Sequence, residues 1–208
     1  MTEILGYGED AFTFWMLKKH LSEVLKLLGD RSKPSDCLVF FRPSFGRGGG
    51  NSVFGEFDAI LASSENIYLI ESKYDQFSSF KKDKLDLRGQ ELRHEIFSWY
   101  YKNWNAQQYT NWEDFRKALQ GDFVKKFLSK KIAPTDSLLA RNLEFVLRQL
   151  KEHSKEPQEL KNVVIFFYGG PKAKKVEGII SDSIHFEVIN IDYTQYKNDF
   201  KGNFIILD

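Results

Sequence analysis

Three charged residues stand where apolar strands are expected. Asp58 lies in Gly55-Glu56-Phe57-Asp58-Ala59-Ile60-Leu61, and Glu71 and Lys73 end the run Ile67-Tyr68-Leu69-Ile70-Glu71-Ser72-Lys73. A buried carboxylate or ammonium is costly unless it is paired or bound to a metal. Alternation along a strand puts Asp58 on one face with Ile60, and Glu71 with Lys73 on one face of the next strand. Pairing the two strands brings Asp58 beside Glu71, and two adjacent carboxylates repel unless a cation sits between them. Mg²⁺, or Mn²⁺ in its place, suits such oxygen donors, and the Ser72 carbonyl offers another. Lys73 then reaches a metal-bound water or a phosphate, and the chemistry expected is phosphodiester hydrolysis by a metal-activated water.

The elements that position these residues follow from the sequence pattern. Residues 9–28 carry apolar side chains at mostly helical spacing and end at Gly29, which predicts a first helix. Cys37 to Phe41 reads as a strand, followed by a loop containing Gly46, Gly48, Gly49 and Gly50. Val53 to Leu61 and Ile67 to Tyr74 form an expected hairpin across Ser63-Ser64-Glu65-Asn66. Helices are expected in an excursion at about 81–131, with Gly121 as a break, and another over Thr135 to Lys151 capped by Thr135 or Asp136. Val163 to Tyr168, Ile184 to Ile191 and Phe204 to Leu207 read as strands. This order predicts one α/β domain over residues 1–208, with a mixed sheet covered by helices.

The pattern of Asp58, twelve intervening residues, then Glu71-Ser72-Lys73 resembles the PD-(D/E)xK nuclease superfamily. Gly55-Glu56-Phe57-Asp58 is similar to the GE-x-D form of small resolvase-like and nuclease-related members. Gly6-Tyr7-Gly8-Glu9-Asp10-Ala11 is similar to the start of their first helix. The resemblance implies a restriction-endonuclease-like αβββαβ core, Mg²⁺ as cofactor, DNA as substrate, and Glu9, Asp58, Glu71 and Lys73 as site residues. Glu9, Asp58 and Glu71 would serve the metal, and Lys73 would be catalytic. Relatives also carry a glutamine with a second aromatic or polar residue in the following helix, for which Gln90 with His94 and Gln107 with Tyr109 are candidates. Many relatives act as dimers, so a homodimer is a further expectation.

A second E-x-K, Glu159-Leu160-Lys161, lies in a polar stretch without an upstream hairpin aspartate, so strand context favours Glu71 and Lys73. Arg42 precedes the glycine-rich loop and Arg47 lies among its glycines, either as phosphate contacts or as solvated arginines. Trp99, Tyr100, Tyr101, Trp104, Tyr109 and Trp112 interleave with Arg88, Arg93, Lys102 and Arg116, a pattern open to two readings: a nucleic-acid stacking wall or an ordinary helical core.

Net charge is +1, which gives no overall sign of nucleic-acid binding, although residues 81–131 hold twelve basic residues against seven acidic ones. The four histidines make no zinc signature. The lone Cys37 cannot form an internal disulfide and fits a packed thiol in a reducing cytoplasm. No apolar run approaches the ~18 residues of a membrane span, so no membrane partner is expected. The alternative to a nuclease is a catalytically silent nucleic-acid-binding or assembly module on the same fold.

Overall fold

A computed structural model describes residues 2–45, 55–75, 80–81, 83–104, 108–109, 111–128, 130–153, 158–170 and 174–208. In chain order the elements are β1 (Leu5–Gly6), α1 (Glu9–Lys19), α2 (Leu21–Leu27), β2 (Leu38–Phe41), β3 (Ala59–Ala62), β4 (Asn66–Tyr74), β5 (Phe80–Lys81), β6 (Lys84–Asp86), α3 (Arg88–Asn103), α4 (Trp112–Lys126), α5 (Leu138–His153), β7 (Glu159–Tyr168), β8 (Gly178–Ile180), β9 (Glu187–Asp192), β10 (Phe200–Lys201) and β11 (Phe204–Ile206). Short 3₁₀ turns cover Pro34–Asp36 and Tyr193–Asp199. Among the described residues, no helix is long and apolar enough to cross a membrane.

The central sheet is mixed and five-stranded, in the order β2-β3-β4-β7-β9. The pairs β2–β3 and β3–β4 are antiparallel, whereas β7 joins β4 and β9 joins β7 in parallel. Antiparallel neighbours can be joined by a short turn, but the parallel step from β4 to β7 needs a long crossover. The chain supplies it through α3, α4 and α5.

Helices cover both faces of this sheet. On one face Ala59, Leu61, Tyr68, Ile70, Tyr74 and Phe167 meet α1 and α2 through Phe12, Trp15, Met16 and Val24. Phe12 lies 4.8 Å from Tyr74 and 5.1 Å from Phe167 between ring centroids, which sets the start of α1 over the C-terminal ends of β4 and β7. On the other face Ile60, Ala62, Ile67 and Leu69 pack against Ile96 and Phe97 of α3 and Leu143 and Leu147 of α5.

The aromatic segment resolves as core. Trp99, Tyr100, Trp104, Trp112, Phe115 and Phe123 are all buried, and the Trp112 indole N–H donates to the Ala133 carbonyl at 2.9 Å. These rings bury their area against one another and offer no continuous face for bases to stack on. Gly121 does not break α4, because the helix on either side is anchored by the buried Phe115 and Phe123. The excursion also begins with strands: β5 and β6 pair, and β6 runs parallel to β8.

Other boundaries move for local reasons. The first helix divides at His20, whose ring is drawn to Asp199 at 2.6 Å. Ser137, outside the expected cap pair, accepts the Ala140 N–H at 3.1 Å at the start of α5. The β7 strand starts at Glu159, so the second E-x-K lies within a strand. It pairs with Asn66, Ile67 and Tyr68, at the end of β4 remote from Glu71.

Under the β3–β4 turn, Asp30 is buried and accepts hydrogen bonds from Ser63 Oγ at 2.6 Å, Tyr68 Oη at 2.7 Å and the Ser32 N–H at 2.8 Å. Burial alone would raise its pKa, but these bonds, with Ser32 foremost, hold the carboxyl at about 2. Its folded pKa is therefore below its unfolded value of 3.8, so the stability it contributes is present above that value and is lost as pH falls through about 2. Asp30→Asn is expected to cost about 1.5–3 kcal/mol at neutral pH, the scale of hydrogen bonds to a charged group. The cost should shrink below about pH 4, as read by urea denaturation at a series of pH values.

Candidate active site

The register Ala59↔Ile70 and Ile60↔Leu69 continues one step past β3, where the Asp58 N–H donates to the Ile70 carbonyl at 3.2 Å. Asp58 therefore comes beside Glu71 on the face of Ile60 and Leu69. Its Oδ2 accepts the Ser72 N–H at 2.7 Å. Burial, and after it the neighbouring Glu71 charge, push the Asp58 carboxyl up to about 6.

Glu71 is fully buried, yet it is held in the opposite state. Its Oε1 accepts from Arg93 Nε at 2.8 Å and faces His94 Nε2 at 2.9 Å, while Oε2 accepts from Arg93 Nη2. Burial would raise its pKa, but the His94 hydrogen bond and the Arg93 charge hold it below the ordinary carboxylate value. His94 is itself fully buried, between Phe57 and Phe186 at 4.9 Å, and its Nδ1 lies 2.8 Å from Asn162 Oδ1 on β7. Arg93 runs past Gly55 so closely that a Cβ there would stand 2.7 Å from Arg93 Cδ, which gives the glycine before Asp58 a packing reason.

Lys73 Nζ donates to Glu9 Oε1 at 3.1 Å and to the Ser72 carbonyl. Glu9 is the first residue of α1, preceded by Gly8 at φ +87°, a left-handed conformation that turns the chain into the helix at the end of β4. The four residues expected at the site, Glu9, Asp58, Glu71 and Lys73, thus meet at the C-terminal end of β4, with the Ser72 backbone among them.

The other expected residues are spread more widely. Arg42 reaches Asp10 of α1 and, at 3.0 Å, Glu56, so it braces the rim of the site through two carboxylates. Arg88 is exposed and closes on Asp86 at 2.6 Å and 2.9 Å. Gln90 lies half-buried in the first turn of α3, its N–H donating to the Leu87 carbonyl at 2.9 Å. Arg47 and Gln107 lie outside the described residues. His94 was expected near substrate, but its burial makes it a support for Glu71. Arg93 is the residue that sequence reasoning missed as a site member. Its signal was its place immediately before His94 in the helix that follows the motif.

The donor set fits a hard divalent cation in part. The Asp58 carboxylate, the Ser72 carbonyl and Glu9 are oxygen donors gathered around the Lys73 ammonium. Glu71 is the exception, because Arg93 and His94 engage both of its oxygens. No group of three or more His, Cys, Asp or Glu side chains that could hold a metal is formed among the described residues.

Because the folded pKa of Asp58 is raised from 3.8 to about 6, the stability of its protonated form is complete below the unfolded value and is lost as pH rises through about 6. Asp58→Asn is therefore expected to raise stability by about 1–2 kcal/mol near pH 8 and by little near pH 4, read by thermal unfolding across that range. Comparison of the chain with protein-family models, with curated proteins and with solved structures finds no match, so the chemistry of this site rests on its own residues.

Proposed function

We infer that the protein is a divalent-metal-dependent nuclease of the PD-(D/E)xK type, hydrolysing DNA phosphodiester bonds. The observation that carries the reading is the convergence of Asp58, Glu71 and Lys73 from two paired strands with Glu9 from the first helix. The order α1, β2, β3, β4, crossover helices, β7 supports a restriction-endonuclease-like αβββαβ core, with α3 and α4 as the inserted segment.

Each residue then has a role that its surroundings support. Asp58, the Ser72 carbonyl and Glu9 would hold Mg²⁺ or Mn²⁺, and Glu71 would join them only where Arg93 gives up its oxygens. The bound cation would supply an activated water and offset charge on the phosphate. Lys73, oriented by Glu9, would supply an ammonium to offset the negative charge that grows on the phosphate oxygens in the transition state. Asp58, with its raised pKa, would have to give up its proton to hold a cation, so metal affinity should climb as pH passes through about 6.

One observation favours the alternative of a silent binding or assembly module: both Glu71 oxygens are already engaged within the protein. The two readings diverge on metal-dependent cleavage. With plasmid, branched and single-stranded DNA as substrates and Mg²⁺ or Mn²⁺ present, the wild-type chain is expected to cleave. Lys73→Met and Asp58→Ala should lower the rate by about 10²–10⁴ while circular dichroism stays native. Cleavage that survives both substitutions in a clean preparation would sink the nuclease reading. DNA binding without cleavage over the whole panel would favour the silent module.

A further inference from the structure

Glu71 and Asp58 are adjacent carboxylates on one sheet face, but among the described residues only Glu71 has a guanidinium. The Glu71 side chain is 1% exposed and the Arg93 side chain 21%, so Arg93 lies on the solvent side of the carboxylate it pairs with. Its fork takes Glu71 through both Nε and Nη2. Its stem fits over Gly55, and its guanidinium carbon stands 5.9 Å from the centre of the Phe57 ring. On the inner side, His94 holds Glu71 at 2.9 Å and is fixed in turn by Asn162. The two partners of Glu71 therefore differ. His94 is locked inside the core, whereas Arg93 is partly exposed at the end of a long stem.

A divalent cation shared by Asp58 and Glu71 and the Arg93 guanidinium are two positive groups competing for one carboxylate. They repel at such close range, and the arginine fork already engages both Glu71 oxygens, one of them shared with His94. We propose that Arg93 is an exchangeable counter-ion: it holds Glu71 through the bidentate pair, and a divalent cation gains Glu71 as a ligand only by displacing Arg93, while His94 keeps the carboxylate in place. This rests on the metal-dependent reading above. It makes Arg93 a positioning residue that sets the metal affinity of the site, and it gives Gly55 the task of leaving room for the arginine.

The test measures Mn²⁺ binding by calorimetry on the full chain, without DNA. Arg93→Gln removes the competing charge and should bind Mn²⁺ about tenfold tighter or more, the scale of a charge-assisted bidentate pair. Arg93→Lys keeps a charge without the fork and should fall between Arg93→Gln and wild type. Should Arg93→Gln fail to fold, the wild-type protein still decides the matter. The Nε–H of Arg93, assigned in a nitrogen-15 spectrum by its loss in Arg93→Lys, should leave its hydrogen-bonded position as Mg²⁺ is added, and Asp58→Asn should prevent that change. If wild type binds Mn²⁺ through Asp58 but the Arg93 variants bind no tighter, or the Nε–H signal is unmoved at saturating Mg²⁺, the exchange is overturned and the metal-dependent reading stands. If neither wild type nor variants bind Mn²⁺, both are overturned.

Discussion

The buried charge of Glu71 is the constraint on which the centre of this molecule is organised. Removing a carboxylate from water costs several kcal/mol even after relaxation, and the fold must supply partners that offset it. It does so from two directions: Arg93 and His94 come from α3, and Asn162 on β7 orients the histidine. Satisfying one carboxylate therefore fixes where α3 crosses the sheet and which face it turns inward. It also fixes the approach to β3, since Gly55 and Phe57 must fit against the same arginine and histidine. Taking away one partner from such a cluster costs about 3–5 kcal/mol in general, so the site and the fold are not separable here.

The two neighbouring carboxylates are driven to opposite states by their surroundings. Glu71 has a guanidinium and an imidazole and is held ionised, while Asp58 has burial, the adjacent charge and one backbone N–H, and its proton is retained to about pH 6. Divergence of this kind assigns different work to chemically similar groups. Glu71 is fixed in charge and place. Asp58 is the member whose ionisation can respond to a cation, and its neighbour Lys73 is kept in reach by Glu9 across the gap between β4 and α1.

Much of this was legible in the sequence, because period-two alternation and helical spacing are properties of local residue order. The β3–β4 pairing, the placement of Asp58 opposite Glu71 and the position of Glu9 at a helix start follow from such local patterns, whereas a role for Glu9 was implied only by the resemblance. What escaped was set by distant contacts. The Arg93 partner lies 22 residues from Glu71, and its place before His94 in the following helix does not by itself show which carboxylate it meets. The division of the first helix depends on Asp199, at the other end of the chain. Gly121 looked like a break because propensity was read alone, whereas packing of Phe115 and Phe123 outweighs the roughly 1 kcal/mol cost of a helical glycine.

Burial of the aromatic rings decides what the crossover helices contribute to the site. With Trp99, Trp104 and Trp112 turned inward, these rings form core rather than a stacking surface, and it is α3 that supports the site through Arg93 and His94. At the site itself, three carboxylates from Glu9, Asp58 and Glu71 stand against the cations of Lys73 and Arg93, so neither sign dominates. A phosphate arriving alone meets carboxylates that repel it, and a divalent cation arriving alone meets an ammonium and a guanidinium. Arriving together they bring nearly compensating charge, and each relieves the repulsion that opposes the other. Under the proposed reading, balanced electrostatics of this kind would couple metal and phosphate binding, because each uncompensated charge is most expensive in a small, poorly solvated volume.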